Sequence, residues 1–319
     1  MKRALLVGID RYDHVPNLGG CVNDARVLHP LLARNEGSTR NFDCKLLIAA
    51  AQSERVTRDH LVDQIRALFA AGADFALLYF AGHGMQVNGE VALVTSDGRG
   101  STPGVRFSEV LEQVKHSPVQ EVVIILDCCF SGGAGTVPAV TDNASLLRNG
   151  LSVLTASRSD QESVESPAGR GLFSTYLEGA LDGGAADVLG HVTVAGLYSY
   201  LSESFGAWEQ RPTFKANIDR LHDLRQCSPV VPLDTLLALP TWFPTADHRF
   251  PLDPGYEPDA PPSHPEHEKI FEQLQKCRAA KLVEPVGNPH MYYAAIQSLS
   301  CQLTPLGKHY WVMAKAGKI

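Results

Sequence analysis

The sequence has no long apolar run. Its strongest hydrophobic stretches, such as FALLYF at 75–80, are far shorter than a bilayer span. It has no internal repeat and no low-complexity tract. Nothing with the pattern of a leader precedes the first strand-like segment, because Met1-Lys2-Arg3 runs straight into apolar residues. The seven cysteines are odd in number and irregularly spaced, and none pairs at zinc-knuckle spacing. A disulfide framework and a small zinc module are therefore not expected. Positive charge is also scarce: 28 Lys and Arg stand against 35 Asp and Glu, for a net charge of -7. That argues against general binding to nucleic acid or to an anionic membrane. These absences leave a globular protein of a reducing cytoplasm, with free thiols.

The first two-thirds of the chain alternates short apolar runs with amphipathic ones. RALLVGI (3–9), 45–49, FALLYF (75–80), EVVIIL (121–126) and 151–156 read as buried strands, with Thr213 to Ile218 as a last one. Apolar residues at helical spacing fall between them: Val22, Ala25, Leu28, Leu31 and Leu32, then Leu61, Ile65, Leu68 and Phe69 behind a capping Thr57. Strands separated by helices imply crossover connections and a mainly parallel sheet covered on both faces. Sites on such sheets form at the carboxyl ends of the strands. The third and fourth main strands end at Ala81-Gly82-His83-Gly84 and at Asp127-Cys128-Cys129-Phe130-Ser131-Gly132.

Taken singly, Gly-His-Gly reads as a turn and a strand-end cysteine as packing. At the ends of consecutive strands they read as a base and a nucleophile. A thiol attacks only as a thiolate, and an imidazole within reach can take its proton. The separation of His83 and Cys129 lies near the roughly 50 residues by which caspase-type enzymes place their histidine upstream of the cysteine. The N–H groups of Gly84 and Cys129 are candidate oxyanion donors. Neighbours along an extended chain face opposite sides, so Cys128 is expected inside the sheet. Asp97, Asp127 and Asp160 fall on the same edge; on residue type alone each reads as a cap or turn residue.

These segments together resemble the caspase-like cysteine peptidases, and among them the metacaspase-like branch. Leu18-Gly-Gly-Cys21-Val-Asn23-Asp24-Ala25, Tyr79-Phe-Ala-Gly-His83-Gly84, Asp127-Cys-Cys129-Phe-Ser-Gly132 and Ala156-Ser-Arg-Ser-Asp160-Gln161 match that branch's ordered motifs over roughly residues 1–220. The chain departs from the pattern at Phe130 and Cys128. The resemblance implies a three-layer α/β sandwich with a mainly parallel sheet and a Cys129–His83 dyad that hydrolyses peptide bonds through a thioester. It also implies a pocket for a basic residue, with Asp127 and Asp97 in it and Asp160 as a third candidate. Cleavage is then expected after Arg or Lys. It implies no cofactor, and the acids form no recognisable calcium loop, so calcium dependence stays open.

The reading divides the chain into a peptidase domain (1–225), a Pro-rich linker (226–265) and a small α+β C-terminal module (266–319). Prolines crowd the linker, which reads as a long arm, extended or wrapped on the surface, without regular helix or central strand. Thr304-Pro305 opens a final helix, and the module resembles a winged helix with more Lys and Arg than Glu. The segment 290–300 carries no Lys or Arg, which disfavours a DNA reader. Tyr292, Tyr293 and Trp311 are candidates to sense a partner protein or a nucleotide messenger. Short caspase-like chains with such a module resemble signal-gated effectors of bacterial defence. A caspase-like scaffold acting by binding, or a winged-helix regulator of nucleic acid, is the alternative.

Overall fold

The computed structural model describes residues 1–87, 90–131, 147–156, 170–205, 212–218, 222–258 and 264–319, with the backbone alone at 129–131. The chain forms two compact units, one of residues 1–186 with 191–227, the other of 187–190 with 228–319.

The first unit is built on β1 (Lys2–Ile9), β2 (Phe42–Ala49), β3 (Phe75–Val87), β6 (Glu121–Ser131), β7 (Leu151–Thr155) and β9 (Thr213–Asn217). They lie in the order β2-β1-β3-β6-β7-β9. All neighbours pair parallel except β7 with β9. A hairpin of β4 (Glu90–Arg99) and β5 (Thr102–Arg106) branches from the carboxyl-terminal part of β3, where Gly84 pairs with Leu93. A short pair, β8 (His191–Thr193) with β10 (Asp223–Gln226), stands apart from the main sheet.

The period of two divides the strands' side chains between two cores. Leu5, Val7, Leu78, Phe80, Ile124 and Leu126 pack on one face, with α2 (Arg58–Leu68) and α3 (Phe107–His116). Leu6, Leu77, Tyr79, Val123 and Ile125 pack on the other, with α1 (Cys21–Ala33), α4 (Leu172–Gly179) and α5 (Val194–Ser204). Continuous apolar runs are what strands covered on both faces require. Thr57 caps α2 as expected, its hydroxyl accepting the His60 N–H. A Cβ on Gly8 would come within 2.5 Å of the Cys21 carbonyl oxygen, so glycine is needed for α1 to lie this close to β1.

In the second unit α6 (Leu233–Trp242), α7 (Pro265–Ala279), α8 (Met291–Ile296) and α9 (Pro305–Lys315) surround an antiparallel sheet. Its strands are β11 (Arg249–Pro251), β12 (Val283–Val286) and β13 (Ser300–Leu303), in the order β11-β13-β12. The Pro-rich stretch is thus not an arm without regular structure: it contributes α6 and β11 to this unit. The prolines sit where helices and edge strands tolerate them. Pro232 is the N-cap of α6, Pro240 lies in its last turn, Pro251 ends an edge strand and Pro265 opens α7. Trp242, Phe243, Phe271, Leu274 and Trp311 form the core. Thr304 caps α9, its hydroxyl accepting the Gly307 N–H at 3.0 Å. Among the described residues, no helix is long and apolar enough to cross a membrane.

Candidate active site

β3 and β6 run parallel and in register from Phe75 opposite Glu121 to Met85 opposite Ser131, which makes His83 and Cys129 direct partners. Adjacent strands lie roughly 5 Å apart, so the two residues meet as neighbours at the carboxyl ends of the central strands. Cys128 is 1% exposed and belongs to the core, as its place in the alternation predicts.

His83 is held from two sides. Its backbone N–H donates to the Tyr12 hydroxyl at 2.9 Å, and that hydroxyl donates to the Ile9 carbonyl at 3.0 Å. Burial pushes the Tyr12 phenol well up, so it stays protonated and able to donate. The Tyr12 and His83 rings lie 4.8 Å apart. A Cβ on Gly82 would meet the Tyr12 oxygen at 2.7 Å, which is why a glycine precedes the histidine. The ring nitrogen Nε2 lies 2.8 Å from the Pro16 carbonyl oxygen. A carbonyl only accepts, so Nε2 carries the proton and Nδ1 is left as the basic nitrogen.

Behind this pair lies a buried acidic network on the α1 and α4 side of the sheet. Asp127 is 4% exposed and accepts from the Ser174 hydroxyl at 2.5 Å; Ser174 in turn meets the Tyr79 hydroxyl at 2.6 Å. Asp24 of α1 is 2% exposed. Burial, then the charge of Asp127, push its carboxyl up to about 6, against the hydrogen bond from Arg170. Arg170 Nε lies 3.0 Å from Asp24 Oδ1, the Gly171 N–H donates to Asp24 Oδ2 at 3.3 Å, and a second Arg170 nitrogen bonds Glu178. Burial works against the charge on Arg170, but the bonds to Glu178 and Asp24 outweigh it and hold the guanidinium cationic.

The Caspase domain family model matches residues 1–221, a span that contains the paired strands, Asp24 and Asp127. The chain belongs to the caspase domain family. Its relatives include Metacaspase-1 of Botryotinia fuckeliana, 24% identical over 59% of this chain and 46% of that protein. Metacaspase-7 of Arabidopsis thaliana is 30% identical over 41% of this chain and 35% of that protein. The chain thus spans less than half the length of these relatives. Caspase-1 from Spodoptera frugiperda aligns with a TM-score of 0.46 at 12% identity, over 71% of this chain and 90% of that one.

Within this caspase domain the acids expected in the pocket part company. Asp127 is in the network. Asp97 is not bonded into it: its carboxylate accepts the Arg58 N–H at the start of α2 at 3.0 Å and the Thr95 hydroxyl at 2.8 Å, the bonds of a helix-end residue. Asp160 lies outside the described residues. The acid beside Asp127 is Asp24, whose place in the first turn of α1 disguises it as a helix-start carboxylate. Gly84 is flanked by Leu93 on β4 and Phe130 on β6. In the second unit Tyr292 and Tyr293 are about half exposed and 5.1 Å apart. Trp311, grouped with them from the sequence, is instead a core ring, 8% exposed, with its indole N–H donated to the Phe243 carbonyl at 2.6 Å. Among the described residues no group of three or more His, Cys, Asp or Glu converges to hold a metal ion.

Proposed function

We propose that the protein is a cysteine endopeptidase that cleaves polypeptides after Arg or Lys. The observation that supports this reading is the direct pairing of His83 with Cys129 at the strand ends. The Cys129 thiol gives its proton to His83 Nδ1, and the thiolate attacks the scissile carbonyl carbon. The imidazolium returns the proton to the leaving amine as the C–N bond breaks, and water then hydrolyses the thioester. The backbone N–H groups of Cys129 and Gly84 are the candidate donors to the oxyanion. Specificity follows from charge: Asp24 and Asp127 share one buried neighbourhood, repel an acidic side chain and favour a guanidinium or ammonium.

A fluorogenic peptide panel tests this. Arg and Lys substrates turn over; Cys129→Ala and His83→Ala each lower turnover by at least about a thousandfold, and Cys128→Ala keeps most of it. Equal turnover of Arg and Leu peptides, or a preference for Asp, rejects the specificity. Retained turnover in Cys129→Ala rejects the dyad.

The second unit serves in this reading as a sensing module that gates the peptidase in a signal-activated defence effector, with the exposed Tyr292 and Tyr293 as its contact for a nucleotide messenger or a partner protein. Full activity in protein purified free of small molecules, unchanged by truncation after Cys227, rejects the gate.

A further inference from the structure

Arg170 is bonded to Asp24, the carboxylate to which the Arg/Lys reading assigns the incoming basic side chain. Its guanidinium bonds the Asp24 carboxylate, and the following Gly171 N–H takes the other Asp24 oxygen, so one short segment engages both. Asp24 and Asp127 are almost fully buried, and the Arg170 side chain itself is only 13% exposed. A second guanidinium brought against Asp24 meets a like charge already in place. Arg170 also has a second anchor, because Glu178 in α4 is 35% exposed and bonds the other end of the same guanidinium. Arg170 can therefore leave Asp24 and remain paired.

Resting on the Arg/Lys reading above, we propose that Arg170 is an internal occupant of the acidic specificity site. In the resting protein it supplies the cation that pairs with Asp24. A substrate arginine binds by displacing it toward Glu178 and taking its place on Asp24. The site is then competent only in the fraction of molecules from which Arg170 has withdrawn, and the apparent affinity for basic substrates is reduced by that fraction. With a vacated population of about 1–10%, removing Arg170 lowers the KM for Arg peptides about 10- to 100-fold. A neutral substrate, which does not compete for Asp24, gains no such advantage.

The test compares full-length wild type, Arg170→Gln and Arg170→Lys at pH 8, above the value of about 6 to which the Asp24 carboxyl is pushed in the wild type. Measurements are KM and kcat for Arg and Leu peptides, inhibition by benzamidine as a free amidinium probe, and alkylation of Cys129 by iodoacetamide. The expected result for Arg170→Gln is a 10- to 100-fold fall in KM for the Arg peptide, a parallel gain in benzamidine affinity and little change for the Leu peptide. Arg170→Lys, which keeps the charge but cannot fork between Asp24 and Glu178, falls between the two. A KM that is unchanged or raised in Arg170→Gln, with Arg still preferred and alkylation unaltered, overturns the occupancy and leaves the specificity standing. If melting or alkylation shows Arg170→Gln to be misfolded, Arg170→Lys decides: a KM at or above wild type overturns the proposal. A flat peptide panel in all three proteins overturns the Arg/Lys reading, and the occupancy with it.

Discussion

The two units bury different things. The first takes Asp10, Asp24, Asp127, Ser174 and Arg225 out of water; the second encloses Trp242, Phe243, Tyr256, Phe271 and Trp311, with few polar groups among them. A buried carboxylate is costly unless hydrogen-bonded or paired, and each of the first unit's has a partner. Asp10 accepts the Cys21 N–H at 2.9 Å at the start of α1, Asp127 the Ser174 hydroxyl, Asp24 the Arg170 guanidinium. The second unit is held by aromatic packing, whereas the first carries polar groups that packing alone does not require. The second unit also buries Thr235 and Glu257, so the contrast is one of degree among the described residues.

Substitutions can break the contrast from either side. The largest effect on stability is expected in the second unit, where Trp311→Ala removes both a core ring and the bond to the Phe243 carbonyl. A loss of about 3–5 kcal/mol is expected, read from denaturant unfolding followed by the fluorescence of that unit. A loss below about 1 kcal/mol would show that Trp311 is not a core residue.

In the first unit, Asp24→Asn is expected to reduce discrimination between Arg and Leu peptides by about two powers of ten, with iodoacetamide alkylation of Cys129 little changed. The pH dependence follows from the carboxyl held at about 6. Protonation as the pH falls removes the charge that pairs with a guanidinium. The Arg-to-Leu ratio of kcat/KM is therefore high above pH 6 and declines below it, by up to about tenfold per unit. The ratio cancels whatever pH does to the chemical steps that both substrates share. A ratio flat from pH 5 to 8 would remove Asp24 from the recognition site. The smallest effect is expected at Asp97→Ala, a loss of about 1 kcal/mol from the start of α2 with the substrate preference intact.

Much of the first unit was legible because its signals are local. Strands covered on both faces read as apolar runs, and motifs at strand ends declare themselves by position, so the sheet and the placing of His83, Cys129 and Asp127 at its carboxyl-terminal edge are legible in the sequence. What escaped was set by contacts distant in the chain. The Pro16 carbonyl that fixes the His83 tautomer has no side-chain signature. Asp24 and Arg170 meet across most of the first unit's length. Asp97 follows an apolar run much as Asp127 does, yet its carboxylate turns to the α2 N-terminus. The second unit is harder to read, because proline disfavours helix interiors and central strands; here Pro232, Pro240, Pro251 and Pro265 sit at helix and strand ends.

The central claim is that His83 activates Cys129, and selective alkylation tests it most directly. Cys277 and Cys301 are buried, and their thiols are pushed up to about 12 by that burial, so they contribute little background near neutral pH. Iodoacetamide at pH 7, with sites identified by mass spectrometry, should modify Cys129 first in the wild type and at least about tenfold more slowly in His83→Ala. Equal rates in the two proteins, or modification at Cys128 in place of Cys129, would contradict the account.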